Sequence, residues 1–456
     1  MIEIREKPGD MQMAAEIARL VDAAGGRTFF VGGFVRDRVL GRENKDIDIE
    51  VHGITVEKLE EILSELGEQT EMGASFGIFG LRGYDIDIAM PRKEEATGRG
   101  HRDFKVDIDP FIGTYKAAIR RDFTINAMMQ DVLTGEIVDH FGGLDDIRAS
   151  VLRHVNDDTF AEDPLRVLRA AQFAARFNFS VAEETVSLAK TMDLTALSWE
   201  RIAGELQKAL LKAESPSIFF REMRRMDQLG YWFPEMEQLI GLEQNPEYHP
   251  EGDVWTHTLM VIDEAAKLRK EADYPMGLMI TAMVHDMGKA VCTTVDESGK
   301  IRSIGHENES ELIESALSRI TTEIRLKKYV HNMTQLHMRP VSLAMQTKKQ
   351  KPFDKLFDQS VDPHDLLLFA KADYLGRKDV PDYTETEQLL QEKLRKFDEL
   401  MAKPYVMGRD LVEMGLTPGP EFKELLEYAH TLRLAGEDKK AALSQTMALH
   451  RSMQND

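Results

Sequence analysis

Near Gly142 the apolar residues change period, and no other feature of the chain limits its fold as much. Before that point, Thr28–Val31, Asp46–Val51, Gly77–Leu81 and Tyr84–Ala89 are short apolar or alternating runs punctuated by glycine, which predicts strands mixed with helices. From about Ile147 the pattern is helical almost throughout. Leu165, Leu168, Ala171 and Gln172 fall at helical spacing, as do Ile202, Leu206, Ala209 and Leu210. Strands first and helices afterwards predict an α+β chain, a small mixed-sheet head followed by an all-α body. At 456 residues the chain exceeds one typical domain. The loop-like stretch Gln244–Pro250 marks a boundary, and a tail begins near Pro404 with a turn at Thr417–Pro420. The expected division is a head over 1–145, a helical neck and body over 146–245, a second helical domain over 246–402 and a helical tail over 403–456.

Composition narrows the chemistry. The single cysteine, Cys292, excludes an intrachain disulfide and a cysteine-based zinc cluster within one chain, so any metal must sit on Asp, Glu and His. No run approaches the roughly 20 apolar residues of a membrane span, and Met1–Asp10 lacks the basic-then-apolar order of a signal peptide. The expectation is a soluble cytoplasmic protein with no membrane partner. A formal charge of −21 argues against a general nucleic-acid coat protein, but it leaves room for a specific RNA substrate where basic residues gather. Candidate clusters are Arg99, Arg102 and Lys105, then Lys116, Arg120 and Arg121, then Arg166, Arg169 and Arg176.

Phe29–Asp37 places Gly32 and Gly33 between an apolar strand and a helix start, a turn in which backbone can approach a phosphate closely. Just downstream, Lys45–Asp46–Ile47–Asp48–Ile49 alternates so that both carboxylates share one strand face and the isoleucines anchor the other. Two carboxylates so close repel unless a cation lies between them, and Mg²⁺ with oxygen ligands is the natural occupant. Asp85 and Asp87 repeat the pattern on the next strand-like run, and either is a candidate third carboxylate.

The run V-G-G-F-V-R-D-R-V-L-G with D-I-D, then R-R-D-F-T-I-N-A-M over 120–128 and E-D-P-L-R-V-L-R-A-A-Q-F over 162–173, resembles the class II CCA-adding and poly(A) polymerase family. The resemblance implies a head of the DNA polymerase beta superfamily with catalytic Mg²⁺ on Asp46 and Asp48. It implies that Gly33 and Arg36 contact the incoming nucleotide, that Arg121 helps hold it, and that Asp163 and Arg166 hydrogen-bond the base edge. Residues 163 and 166 are three apart, which on one helix puts them on one face, and Arg169 continues that face towards the triphosphate. Gln172 stands where many family members carry another arginine, and it receives no role. The polar stretch Lys93–His101 reads as a mobile loop whose presence favours complete CCA or A addition.

His257 in W-T-H-T, His285–Asp286 in A-M-V-H-D-M-G-K and Asp373 in K-A-D-Y-L-G-R offer imidazole and carboxylate to one or two transition-metal ions, a set suited to phosphoester hydrolysis. The order H…HD…D resembles HD-domain phosphohydrolases and the HD domain fused to some bacterial CCA-adding enzymes, which implies phosphatase and 2′,3′-cyclic phosphodiesterase activity. His306 and His337 are candidates for the same cleft or a second metal. The expected function is addition of C, C and A to tRNA 3′ ends from CTP and ATP, by a monomer or homodimer. The alternatives are an A-adding enzyme or bacterial poly(A) polymerase and, further off, an HD phosphohydrolase whose head is inactive and only binds RNA.

Overall fold

A computed structural model describes residues 9–44, 46–70, 78–96 and 104–454. The chain forms two compact units, one of residues 1–213 and 218–231, the other of 214–217 and 232–456.

In the first unit, helix α1 (Asp10–Ala23) buries Met13, Ala14, Ile17, Ala18 and Val21, the i, i+3, i+4 stripe of an amphipathic helix. Then follow β1 (Arg27–Val31), α2 (Gly33–Val39), β2 (Ile47–His52) and α3 (Val56–Leu66), whose start Thr55 caps by accepting from the Lys58 N–H. Strands β3 (Gln69–Thr70), β4 (Ile78–Leu81) and β5 (Ile86–Ala89) come next, then the hairpin of β6 (Arg92–Ala96) and β7 (Phe104–Ile108). Helix α4 (Thr114–Ala118) leads to β8 (Met129–Asp131) and β9 (Ile137–Val138). The main sheet runs β3-β4-β5-β2-β1-β8-β9, with β2 and β5 parallel and its other pairs antiparallel. Ile47, Ile49, Val51, Ile86 and Ile88 pack with α1 and α3 residues in the head core, so the odd-numbered positions of β2 face inward. The opposite face of β2 is left for its carboxylates.

The polar reading of Lys93–His101 as a loop is corrected in part: Lys93–Ala96 belong to β6, paired in register with Phe104–Asp107. Backbone pairing needs no apolar side chains, so polar strands of this kind carry no hydropathy signal. The rest of that stretch, with Arg99 and Arg102, lies outside the described residues.

After α5 (Gly143–Ala149), β10 (Val151–Leu152) and α6 (Asp157–Ala161), helix α7 (Leu165–Phe177) packs on α9 (Trp199–Lys212), with β11 (Ser180–Val181) and α8 (Glu183–Ala189) between them in sequence. Short helices α10 (Ser217–Arg225), α11 (Leu229–Trp232) and α12 (Pro234–Glu237) follow.

The second unit is helical apart from the small hairpin of β12 (Thr294–Val295) and β13 (Ile301–Arg302). Its centre is α13 (Val254–Leu268) packed against α14 (Pro275–Val284) and α20 (Pro363–Leu375), with α17 (Ile324–Leu336) against α14. Gly277–Val284 of α14 are all buried, as expected of a helix apolar on every side. Around these stand α15 (Lys289–Cys292), α16 (Ser310–Ser318), α18 (Arg339–Gln346), α19 (Gln350–Gln359) and α21 (Thr384–Ala402). The tail helices α22 (Gly408–Glu413), α23 (Glu421–Leu434) and α24 (Lys439–Met453) enclose their own small core of Leu411, Leu416, Leu425 and Met447. Among the described residues no helix is long and apolar enough to cross a membrane.

Candidate functional site

In the first unit a cavity of about 710 Å³ gathers the residues expected to hold metal and nucleotide: Gly33, Arg36, Asp46, Asp48, Arg121, Asp163, Arg166 and Arg169. Seven arginines and two lysines line it against five aspartates, so a chain of charge −21 presents a basic hollow. Arg120 and Arg121 reach it from one sequence cluster and Arg166, Arg169 and Arg176 from another. Lys116 is not among its lining.

Asp46 is exposed just ahead of β2 and Asp48 is half-buried within it. Parallel pairing sets Asp48 opposite Asp87, which singles out Asp87 rather than Asp85 as the neighbouring acid; the Asp85 N–H instead bonds Asp10. Burial first, and then the Asp87 charge, push the Asp48 carboxyl above its usual range, with Arg121 pulling the other way. A group of hard oxygen donors that disfavours its own charge fits a divalent cation. Asp46 is steadied through its backbone: its N–H donates to Asn44 Oδ1 (3.0 Å), and Asn44 Nδ2 donates to Asp37 Oδ2 (2.8 Å).

Gly32 sits at φ +64°, where a side chain is strained, and a Cβ on it would fall 2.9 Å from Arg121 Nη1. Gly32→Ala is therefore expected to cost about 1–3 kcal/mol of stability and to displace Arg121. A lowered thermal midpoint checks this.

The arginines are less free than sequence suggests. Arg36 is buried against Phe173 and Phe177, at 5.3 and 4.5 Å from the ring centres, and donates to Asp37 Oδ1 (2.8 Å) and Asn126 Oδ1 (2.6 Å). Arg169 donates through Nε and Nη2 to Asp122 Oδ2 (2.8 and 2.6 Å). Burial of Asp122 is outweighed by Arg169 and Asn126, which hold its carboxyl below the usual range. Asp163 and Arg166 do not share a helix face. Pro164 fixes the start of α7 at Leu165, so Asp163 lies outside the helix, accepts from the Leu165 N–H (3.1 Å) and pairs with Arg201 of α9 (2.8 Å). Arg166 donates to the backbone carbonyls of Thr159 and Arg120. Gln172, 1% exposed, lines the cavity with its amide nitrogen unpaired.

In the second unit His257 of α13, His285 and Asp286 at the end of α14, and Asp373 of α20 converge in the interior. His257 Nε2 lies 3.1 Å from Asp373 Oδ1, and His285 Nε2 lies 3.3 Å from Asp286 Oδ2. His306 and His337 join them, their Nε2 atoms 3.1 and 4.0 Å from Asp286 Oδ1. The donors thus form two groups within metal-ligating reach, His257, His285 and Asp373 in one and Asp286, His306 and His337 in the other. His285, His306 and His337 each direct Nδ1 at the carbonyl three residues earlier, at 3.1, 2.7 and 2.5 Å. With Nδ1–H so occupied, the Nε2 lone pairs of His285 and His306 are buried facing the Asp286 carboxylate, which as an acceptor cannot satisfy them without a proton or a cation between. This donor set fits a metal centre. Burial opposes the charge on Asp286, but Lys289, His285 and His306 hold it well below the usual carboxylate range. Burial and the neighbouring His285 push His337 down to about 3. Glu251 and His249 were not singled out from the sequence: Glu251 lies 2.8 Å from His249 Nδ1 and 3.0 Å from His257 Nδ1.

Residues 28–153 match the family model described as the poly A polymerase head domain. A multifunctional CCA protein of Haemophilus ducreyi is 42% identical over 57% of this chain, which spans 63% of that relative, less than two thirds of its length. The multifunctional CCA protein of Thioalkalivibrio sulfidiphilus is 34% identical over 86% of this chain and 94% of its own. Among solved structures, the Bacillus stearothermophilus CCA-adding enzyme in complex with CTP shares the fold, with a TM-score of 0.68 over 99% of this chain and all of that one at 20% identity. With near-complete coverage of a relative above 30% identity, this chain belongs to the multifunctional CCA protein family.

Proposed function

We propose that this protein adds C, C and A to the 3′ end of tRNA from CTP and ATP. The observation that carries the reading is the basic cavity in which Asp46 and Asp48 face the glycine turn and the E-D-P-L-R segment of a chain in this family. In this reading the RNA 3′ oxygen attacks the α-phosphorus of the nucleotide, its proton is lost to solvent, and pyrophosphate leaves. Asp46 and Asp48, with Asp87 beside them, would hold Mg²⁺, which would supply activation of a hydroxyl and charge neutralisation on phosphates. Arg121, beside the turn at Gly32 and Gly33, grips phosphate oxygens with its fork of donors. Asp163 and Arg166 present an acceptor and donors to the base edge, and their anchorage to Arg201 and to backbone carbonyls keeps that pattern fixed without a template strand. Arg36 and Arg169 act chiefly by bracing Asn126, Asp37 and Asp122.

Incubating the protein with tRNAs ending at the discriminator base, at C or at CC, with CTP, ATP or both, tests this. The expected result is completion to CCA from all three. Absence of CTP incorporation would overturn it in favour of A addition alone.

The second unit supports a second activity at the same RNA ends. The His and Asp cluster suits a divalent transition metal, which supplies Lewis acidity for phosphoester hydrolysis. Phosphatase and 2′,3′-cyclic phosphodiesterase action would clear blocked 3′ ends before nucleotide addition.

A further inference from the structure

Asp48 is not the last acid on its strand face. Two residues on, with the same side-chain direction, stands Glu50, and two further is His52. Both are nearly buried, at 9% and 6% exposure, in a part of the sheet where an apolar residue would fill the space without cost. A carboxylate is retained in such a place only if it is paired. Among the described residues, two side chains stand close to it. His52 Nε2 lies 2.7 Å from Glu50 Oε1, its ring edge-on to Phe29 and its Nδ1 unpaired, so this bond is the polar contact the structure gives that imidazole. On the other side Arg121 Nη2 lies 3.6 Å from Glu50 Oε2, while Arg121 Nη1 lies 3.5 Å from the Asn126 carbonyl and close against Gly32. Arg121 thus acts on two carboxylates of one strand, in an ion pair with Glu50 and through its charge on Asp48.

We propose that Glu50, braced by His52, is a positioning residue that holds Arg121 over the Gly32 turn, aimed at the nucleotide phosphates and kept from closing onto Asp48. The inference rests on the proposed role of Arg121 in gripping nucleotide. A guanidinium deprived of Glu50 still has Asp48 within electrostatic reach, and an arginine seated there competes both with the phosphate and with the metal for the same oxygens. Two signatures follow that a merely structural residue would not produce. The KM for CTP and ATP rises while kcat at saturation stays nearly constant, and the Mg²⁺ concentration for half-maximal rate rises with it.

The test compares Glu50→Gln, Arg121→Ala and the double variant in single-nucleotide addition to tRNA, with thermal unfolding of each. Loss of one charge-assisted contact predicts a KM increase of about tenfold for Glu50→Gln, with Glu50→Asp falling between it and the parent. Arg121→Ala should raise KM at least as much, and the double variant should be no worse than Arg121→Ala alone. A folded Glu50→Gln with unchanged KM and Mg²⁺ dependence, beside an Arg121→Ala that is impaired, overturns the positioning role and leaves the function standing. An Arg121→Ala with unchanged KM overturns the nucleotide role of Arg121 and this inference with it. Should Glu50→Gln fail to fold, His52→Gln removes the imidazole brace while keeping the carboxylate, and a normal KM in that variant overturns the proposal.

Discussion

Alanine at both Asp46 and Asp48 is expected to lower nucleotide addition by roughly a thousandfold or more, since each lost 1.4 kcal/mol of transition-state stabilisation costs about a factor of ten and a catalytic metal contributes several kcal/mol. The loss should come without damage to the fold. Asp46 is exposed, and the charged form of Asp48 is disfavoured by burial and by Asp87, so removing these carboxylates takes away repulsion rather than support. The metal-free double variant should therefore unfold at or above the midpoint of the parent. Added Mg²⁺ should raise the midpoint of the parent and leave that of the variant unmoved, because only a state that binds ligand is stabilised by it. Hydrolysis of 2′,3′-cyclic phosphate should persist. Addition surviving at parental rate would overturn the assignment of the two aspartates.

The complementary change is His285→Ala. It removes an imidazole whose Nε2 is buried and unpaired beside Asp286, and a lost ligand in a metal centre is expected to lower hydrolysis by about a hundredfold or more. Nucleotide addition should be unaltered, since the cavity that carries Asp46 and Asp48 is built entirely from the other compact unit. Metal content measured on the purified variant, set against the parent, checks the cause. Parental hydrolysis in a variant depleted of metal would overturn the role proposed for the cluster.

Much of both sites was legible where chemistry follows local spacing. Alternation along Asp46–Ile49 predicts an apolar side and an acidic side of a strand, and Ile47 and Ile49 are indeed in the core. The candidate ligands His257, His285, Asp286 and Asp373 were readable as residue types in order, and the structure brings His257 near Asp373 and His285 near Asp286. Pairings that cross between elements were not readable. Nothing near Asp163 in sequence announces Arg201, and nothing near Arg169 announces Asp122 as its partner. Such contacts depend on how α7 lies against α9 and against the turn after α4, which no periodicity encodes. Two local signals do bear on these sites. Pro164 marks a helix start and so leaves Asp163 just ahead of α7 while Arg166 is within it. Glu50 continues the two-residue period of Asp46 and Asp48, and the face that period defines extends one residue further than the metal site.

Under the proposed function, the basic hollow in an acidic chain has a consequence for how RNA would arrive. Long-range forces from a protein of charge −21 turn polyanions away from most of its surface, so encounter is governed by refusal as much as by attraction. Only a slender strand, carrying few phosphates into the cavity, trades little repulsion for several arginine contacts. Few phosphates neutralised also means few counterions released, and hence an association that weakens only gently as salt rises. Charge distribution alone would then sort free ends from the flanks of a folded RNA, before any base is read.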